Sequence, residues 1–208
     1  LPEFARSVSR ADVIDFQPSM MTLAMEGSLT KIEDDPTASG GKAASMVTRA
    51  KSWSVQTHLG SYLDSSGEDW RIFAIVRPRM GADSTGKGIA FEGGLYSDSG
   101  MKSSGRFTVD FSRLSKDGYK ILDLGTHTLD PGMMLWFAPV NAAAAEEILF
   151  DRILFIREPA AKSLKLNSGS FGRKNPDLMG KMSVFLPTPP MKSGDRPLQR
   201  RIGDSPTR

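Results

Sequence analysis

The sequence contains no cysteine and only two histidines, His58 and His127. The first absence excludes a disulfide framework and any thiolate metal centre. The second leaves no pair of histidines at helical spacing for a metal, and no nucleophile elbow accompanies either one. A long apolar run is also missing. The most hydrophobic stretch, Ile148–Ile156 within EEILFDRILFIRE, is too short to cross a bilayer. No signal peptide is recognisable, and the chain starts at Leu1 as a piece of something longer would. Residues 1–158 lack an excess of basic charge, with 17 Lys and Arg against 21 Asp and Glu. The last fifty residues carry 10 against 3, so the basic pI of 9.2 belongs to the tail. That distribution disfavours nucleic acid as a partner of the domain, and a nucleic-acid or membrane arm in the tail is disfavoured too, because no aromatic or helical periodicity accompanies its charge. No pair of carboxylates stands out as a general acid and base.

What the sequence does have is a succession of short alternating segments. Asp12–Gln17, Met20–Glu26, Ser28–Glu33, Lys42–Thr48 and Trp53–Leu59 each read as a strand. So do Trp70–Arg77, Gly88–Tyr96, Arg106–Phe111, Tyr119–Leu124, Thr126–Leu129 and Met133–Pro139. Turn residues separate them every eight to twelve positions. The closing segment, Glu146–Glu158, is rich in Ile, Leu and Phe and suits a central strand buried on both faces. Strict alternation places Asp151 with Leu149, Ile153 and Phe155, and Arg152 with Ile148, Phe150, Leu154 and Ile156. A carboxylate there is costly unless a cation or hydrogen-bond donors meet it. The pattern predicts an all-β fold, a two-sheet antiparallel β-sandwich of the jelly-roll kind. Residues 1–11 read as a linker or the end of a preceding domain, and residues 12–158 as the sandwich. Residues 159–208 read as a basic, proline-containing tail, mostly irregular.

Several motifs bear on chemistry. Gly81–Lys87, GADSTGK, has the spacing of a phosphate-cradling loop, but Gly88 follows where Ser or Thr would hold magnesium, and then comes a strand. A hairpin loop is the reading. Glu33, Asp34 and Asp35 open a dense turn, DDPTASGG. With Asp151 and Asp15 they could offer the oxygen ligands that calcium takes, or they could be solvated turn residues, with Asp151 held by an amide or an arginine. Trp53, Trp70 and Trp136 sit at strand spacing, as core residues or as platforms. Gly93-Gly94 marks a bulge or a place where something approaches the backbone. Tyr62 and Tyr96 lie at or near loops, with Glu92, Arg77, Arg79, Gln56 and Asn141 near strand ends. An aromatic beside such polar groups is what a sugar ring requires.

Three segments occur in order: IEDDPTASGGKAASM at Ile32–Met46, WSVQTHL at Trp53–Leu59 and LFDRILFIRE at Leu149–Glu158. Together they resemble the galactose-binding-domain-like jelly rolls, and within them the carbohydrate-binding modules of families six and thirty-five. Such modules occur at the C-terminal end of large bacterial proteins similar to glycoside hydrolases. The resemblance covers residues 12–158. It implies a non-catalytic module that targets an attached enzyme to a polysaccharide or glycan, outside the cell or in the periplasm. It also implies a structural calcium ion held by Asp15, Glu33 and Asp151. Those families often carry Glu-x-Glu in the first strand, where this chain has Asp15-Phe16-Gln17. Asn141 matches the place of a sugar-contacting asparagine, and Tyr62, Glu92 and Tyr96 are candidate contacts from loop position. The alternative is a structural or protein-interaction sandwich packed against a neighbouring catalytic domain without sugar binding.

Overall fold

The computed structural model describes residues 1–24, 29–50, 53–64, 67–97, 102–158 and 160–164. Among the described residues eleven strands form two antiparallel sheets, as the alternation predicts. The first sheet has the order β3 (Thr30–Asp34), β4 (Lys42–Val47), β11 (Glu147–Arg157), β6 (Glu68–Arg79), β9 (Lys120–Leu129), with β1 (Val13–Phe16) also paired to β11. The second has the order β2 (Thr22–Leu23), β5 (Val55–His58), β10 (Met133–Pro139), β7 (Ile89–Ser97), β8 (Lys102–Asp110). Among the described residues the helical turns are short and of the 3-10 type. The GADSTGK segment is the loop between β6 and β7, where Ser84 Oγ accepts from the Gly81 amide, and a strand follows it.

The sheets close on one core. Phe16, Trp70, Ile72, Phe91, Leu95, Leu135, Phe137, Ile148, Phe150, Ile153 and Phe155 meet there, nearly all inaccessible to water. Phe91, Phe137 and Phe150 pack edge-on or tilted, with centroids 4.8 to 5.9 Å apart. That geometry adds to what the buried area alone contributes.

The central strand departs from the expected alternation. β11 pairs with β6 along its length, but the register slips between Phe150 and Arg152, so Asp151 is the extra residue of a bulge. The slip reverses the parity. Ile148 and Phe150 share the inner face with Ile153 and Phe155, whereas Leu154 and Ile156 point outward. Along its other edge β11 pairs with β4 at Glu147–Phe150 and with β1 at Ile153–Ile156. Asp151 and Arg152 therefore sit at the junction where one partner strand ends and the next begins.

Other differences are of extent. The segments expected at Tyr119–Leu124 and Thr126–Leu129 form one strand, β9, which begins at Lys120 and shifts register with β6 beside Gly125, whose φ of 96° only glycine accepts readily. β2 covers only Thr22–Leu23 of the expected Met20–Glu26, because Pro18–Met20 forms a 3-10 turn, and residues 25–28 lie outside those described. Within residues 1–11, read as a linker or the end of a preceding domain, Ala5 and Val8 are buried against Phe73, Ile75, Leu154 and Ile156. The chain also continues past Glu158 into a 3-10 turn, Ala160–Ser163, that puts Ala161 on the same patch. The proline-containing tail from residue 165 lies outside the described residues.

Candidate functional site

The outward face of the second sheet is built by alternation. On β10, Leu135 and Phe137 enter the core, so Met134, Trp136 and Ala138 face out. Opposite them, β7 presents Glu92, Gly94 and Tyr96, and β5 presents Gln56 and His58. Beyond β7 the register with β8 shifts between Gly93 and Leu95, and Arg106 comes out beside Glu92. Arg106 donates through Nε at 3.2 Å and Nη2 at 2.6 Å to Glu92 Oε2. Trp136 lies over Gly94, where an added Cβ would stand 3.2 Å from the indole. The paired glycines thus admit the indole on the outside and the Phe107 ring on the inside. Trp136 is only 8 % exposed, Gln56 is buried, Tyr96, Met134 and Glu92 are half-buried, and His58, Arg106 and Thr108 are exposed. The result is a mixed strip of apolar and hydrogen-bonding groups along four strands.

Of the four residues expected to touch a sugar, the structure brings Glu92 and Tyr96 onto this face. Asn141 lies past the far end of β10, roughly 20 Å from the position opposite Tyr96. There its Oδ1 accepts from the Ala143 amide and its Nδ2 meets the Lys87 carbonyl at 3.5 Å, which closes a turn. Tyr62 is 42 % exposed, but its ring stands edge-on to Phe16 at 4.9 Å and ends a row that continues to Phe155. Sequence reasoning missed His58, Met134 and Arg106 as members of this face and left Trp136 open between core and platform. The alternation of MMLWFAP, with Gly93-Gly94 across from it, was the signal that could have found Trp136.

The acidic turn is organised around Asp35, which is 4 % exposed. Thr37 donates to Asp35 Oδ1 from its amide at 2.9 Å and its hydroxyl at 2.6 Å. Arg77 Nη2 at 2.8 Å and the Tyr119 hydroxyl at 2.7 Å donate to Oδ2. Arg77 also lies over the Tyr119 ring, 5.4 Å from its centre. Burial by itself would push the Asp35 carboxyl up. The Thr37 and Tyr119 bonds and the Arg77 charge outweigh it and hold the group at about 2. Burial and the bond to Asp35 together push Tyr119 up. Asp34 is exposed and pairs with Lys42 at 2.6 Å, which lowers it.

The three expected calcium ligands do not form one cluster, although two of them share a partner. Glu33 is bound by Arg79, whose hydrogen bond lowers its pKa, and by Lys31 at 3.1 Å. Asp15 and Asp151 both face Arg152. Its Nη1 donates to Asp15 Oδ2 at 3.0 Å, and its Nε lies 3.7 Å from Asp151 Oδ2. Ser39, at the tip of the β3–β4 turn, donates to Asp151 Oδ1 from its amide at 3.1 Å and its hydroxyl at 2.9 Å. Among the described residues no group of three His, Asp or Glu side chains could hold a metal ion. The donor set does not fit calcium, because each of its carboxylates already faces a guanidinium and too few of their oxygens are free.

No family model matches the sequence, and no curated protein matches it. Solved structures of similar outline do exist. The xylan-binding domain CBM22-1 of Paenibacillus barcinonensis Xyn10C is 12 % identical, with a TM-score of 0.49 over 69 % of this chain and 92 % of its own. A family 35 carbohydrate-binding module from Clostridium thermocellum is 14 % identical, with a TM-score of 0.47 over 69 % of this chain and 98 % of its own. The insecticidal crystal protein Cry2Aa is 11 % identical, with a TM-score of 0.47 over 71 % of this chain and 22 % of its own. At such values the likeness is one of coarse chain path and carries no function to this chain.

Proposed function

We propose that the protein is a non-catalytic carbohydrate-binding module that receives a polysaccharide chain across the outward face of β5, β10, β7 and β8. The observation that carries this is the contrast between the two outer faces. That of the first sheet is covered over its apolar half by Phe4, Ala5 and Val8 from one end of the chain and Ala161 and Leu164 from the other. The second sheet presents Tyr96 and Met134 for the C–H faces of a sugar ring, with His58, Glu92, Arg106 and Thr108 for its hydroxyls. The carboxylates whose pKa moves, Glu33, Asp34, Asp35 and Asp110, all move down, away from what a general acid needs. Attachment to a hydrolase and a place outside the cell or in the periplasm belong to the same proposal. They rest on the order of the IEDDPTASGGKAASM, WSVQTHL and LFDRILFIRE segments.

A second reading, a sandwich that packs against a neighbouring domain, is favoured by one observation: Trp136 has little free surface for stacking. Affinity electrophoresis of the 208-residue chain through plant and algal polysaccharides separates the two. Retardation by one glycan is expected, weakened roughly tenfold by Tyr96→Ala. The control Lys31→Ala, on the first sheet, is expected to leave it unchanged. Unretarded migration through every gel would sink the sugar-binding proposal.

A further inference from the structure

The feature that asks for an explanation is a charge cluster at the bulge of β11. Three segments far apart in the chain meet there: Asp15 of β1, Ser39 of the β3–β4 turn, and Asp151 with Arg152 in β11. The Asp15, Asp151 and Arg152 side chains are 12 %, 5 % and 8 % exposed. Two buried carboxylates this close need positive charge between them.

We propose that Arg152 is the built-in cation of this junction, doing with a guanidinium what a bound divalent ion would otherwise do, so that the fold is independent of calcium. Its arms reach all three segments. Nη1 donates to Asp15 Oδ2 at 3.0 Å, Nη2 donates to Ser39 Oγ, and Nε lies 3.7 Å from Asp151 Oδ2. The Ser39 hydroxyl, accepting from Arg152, donates in turn to Asp151 Oδ1 at 2.9 Å. A planar fork with fixed donors suits this bridging, as a point charge would not. Two carboxylate oxygens are left without a hydrogen bond: Asp15 Oδ1, which is buried, and Asp151 Oδ2, which has only the 3.7 Å approach of Arg152 Nε, itself buried without a hydrogen-bond partner. That is far short of the roughly six to eight oxygens calcium takes. The adjoining cavity of about 60 Å³ has room for water, but Lys42 and Arg152 line it against the single carboxylate of Asp151, and that excess of positive charge disfavours a further cation. The cluster falls where β4 ends and β1 begins along β11, and the Ser39 turn reaches Asp151 at that junction.

Thermal unfolding of the full chain in CaCl2 and in EDTA tests this directly. A site loaded well above its Kd would raise Tm by several degrees. The expected result is the same Tm in both to within about 1 °C, and a calcium-dependent rise would overturn the proposal. Arg152→Met is expected to lower Tm, and adding Asp15→Asn to it to recover part of the loss by removing the stranded carboxylate. An unchanged Tm for Arg152→Met would overturn the proposal, as would a further loss in the double variant. Should Arg152→Met fail to fold, Asp15→Asn alone decides. It is expected to melt lower than the parent and to stay indifferent to calcium, and a melt equal to the parent's would overturn the proposal.

Discussion

Asp35 shows how much a single carboxylate can organise. It takes four hydrogen bonds from Thr37, Arg77 and Tyr119, and the last two lie 42 and 84 residues along the chain. Nothing local in DDPTASGG distinguishes it from Asp34, which is exposed, so the sequence alone left both as metal ligands or solvated turn residues. The pairing of β6 with β9 sets Arg77 beside Tyr119, and the sheet order β3-β4-β11-β6 carries both to the turn. Asp35→Asn should therefore cost about 3 kcal/mol at neutral pH, since it leaves Arg77 without its buried partner. The acid limb gives a second check. A carboxyl held at about 2 in the fold, against 3.8 ordinarily, contributes stability that is fully present above pH ~4. Its share, about 2 kcal/mol, is lost as pH falls from ~4 through ~2. Urea unfolding at pH 7, 4 and 2.5 should show the gap between parent and variant narrowing as pH falls. A gap constant with pH would mean that Asp35 ionisation is not what the turn depends on.

At the scale of the element, strands were legible wherever one face is buried and the other is not. Met133–Pro139 was read with its final bounds, and the closing segment was recognised as central. Bulges were not legible, because a single extra residue changes parity without changing composition. That is why the two halves of β11 were assigned to the wrong faces and β9 was read as two strands. The Gly93-Gly94 pair stands out in the sequence, and the structure supplies the reason. An added Cβ on Gly93 would stand 2.6 Å from the Phe107 ring and 2.7 Å from the Trp136 carbonyl, both in packed positions. On Gly94 the closest approaches are 3.2 Å to the indole and 3.3 Å to the Arg106 backbone. Gly93→Ala is expected to cost about 2–3 kcal/mol, the range for overpacking a core, and Gly94→Ala clearly less. Gly94→Ala should instead shift tryptophan fluorescence, since it lifts the indole. Equal losses of stability in the two variants would contradict the assignment of Gly93 to the inner side.

For the molecule as a whole, the sandwich class and most of its strand order along the chain were legible from alternation and turn spacing. Which sheet each strand joins, and which outer face stays open, were not. Both depend on what covers the outside, and residues 1–11 carry too little hydrophobic pattern to announce that they cover anything. In the fold they do: Phe4 stands edge-on to Phe73 at 5.3 Å, and Ala5 is fully buried. Removing residues 1–8 would uncover Phe73, Ile75, Leu154 and Ile156 on the first sheet. At about 25 cal/mol per Å² of apolar surface, even 100–150 Å² newly exposed costs about 3 kcal/mol, enough to lower Tm by several degrees. Binding of a hydrophobic dye by the truncated protein should rise with the loss. The proposed glycan contacts, on the other sheet, lie across the core from this patch, so the folded fraction should be retarded in polysaccharide gels as the full chain is. If truncation abolished retardation while the melting curve stayed cooperative, the ligand would belong to the first sheet, and the open face of β5, β10, β7 and β8 would need another explanation.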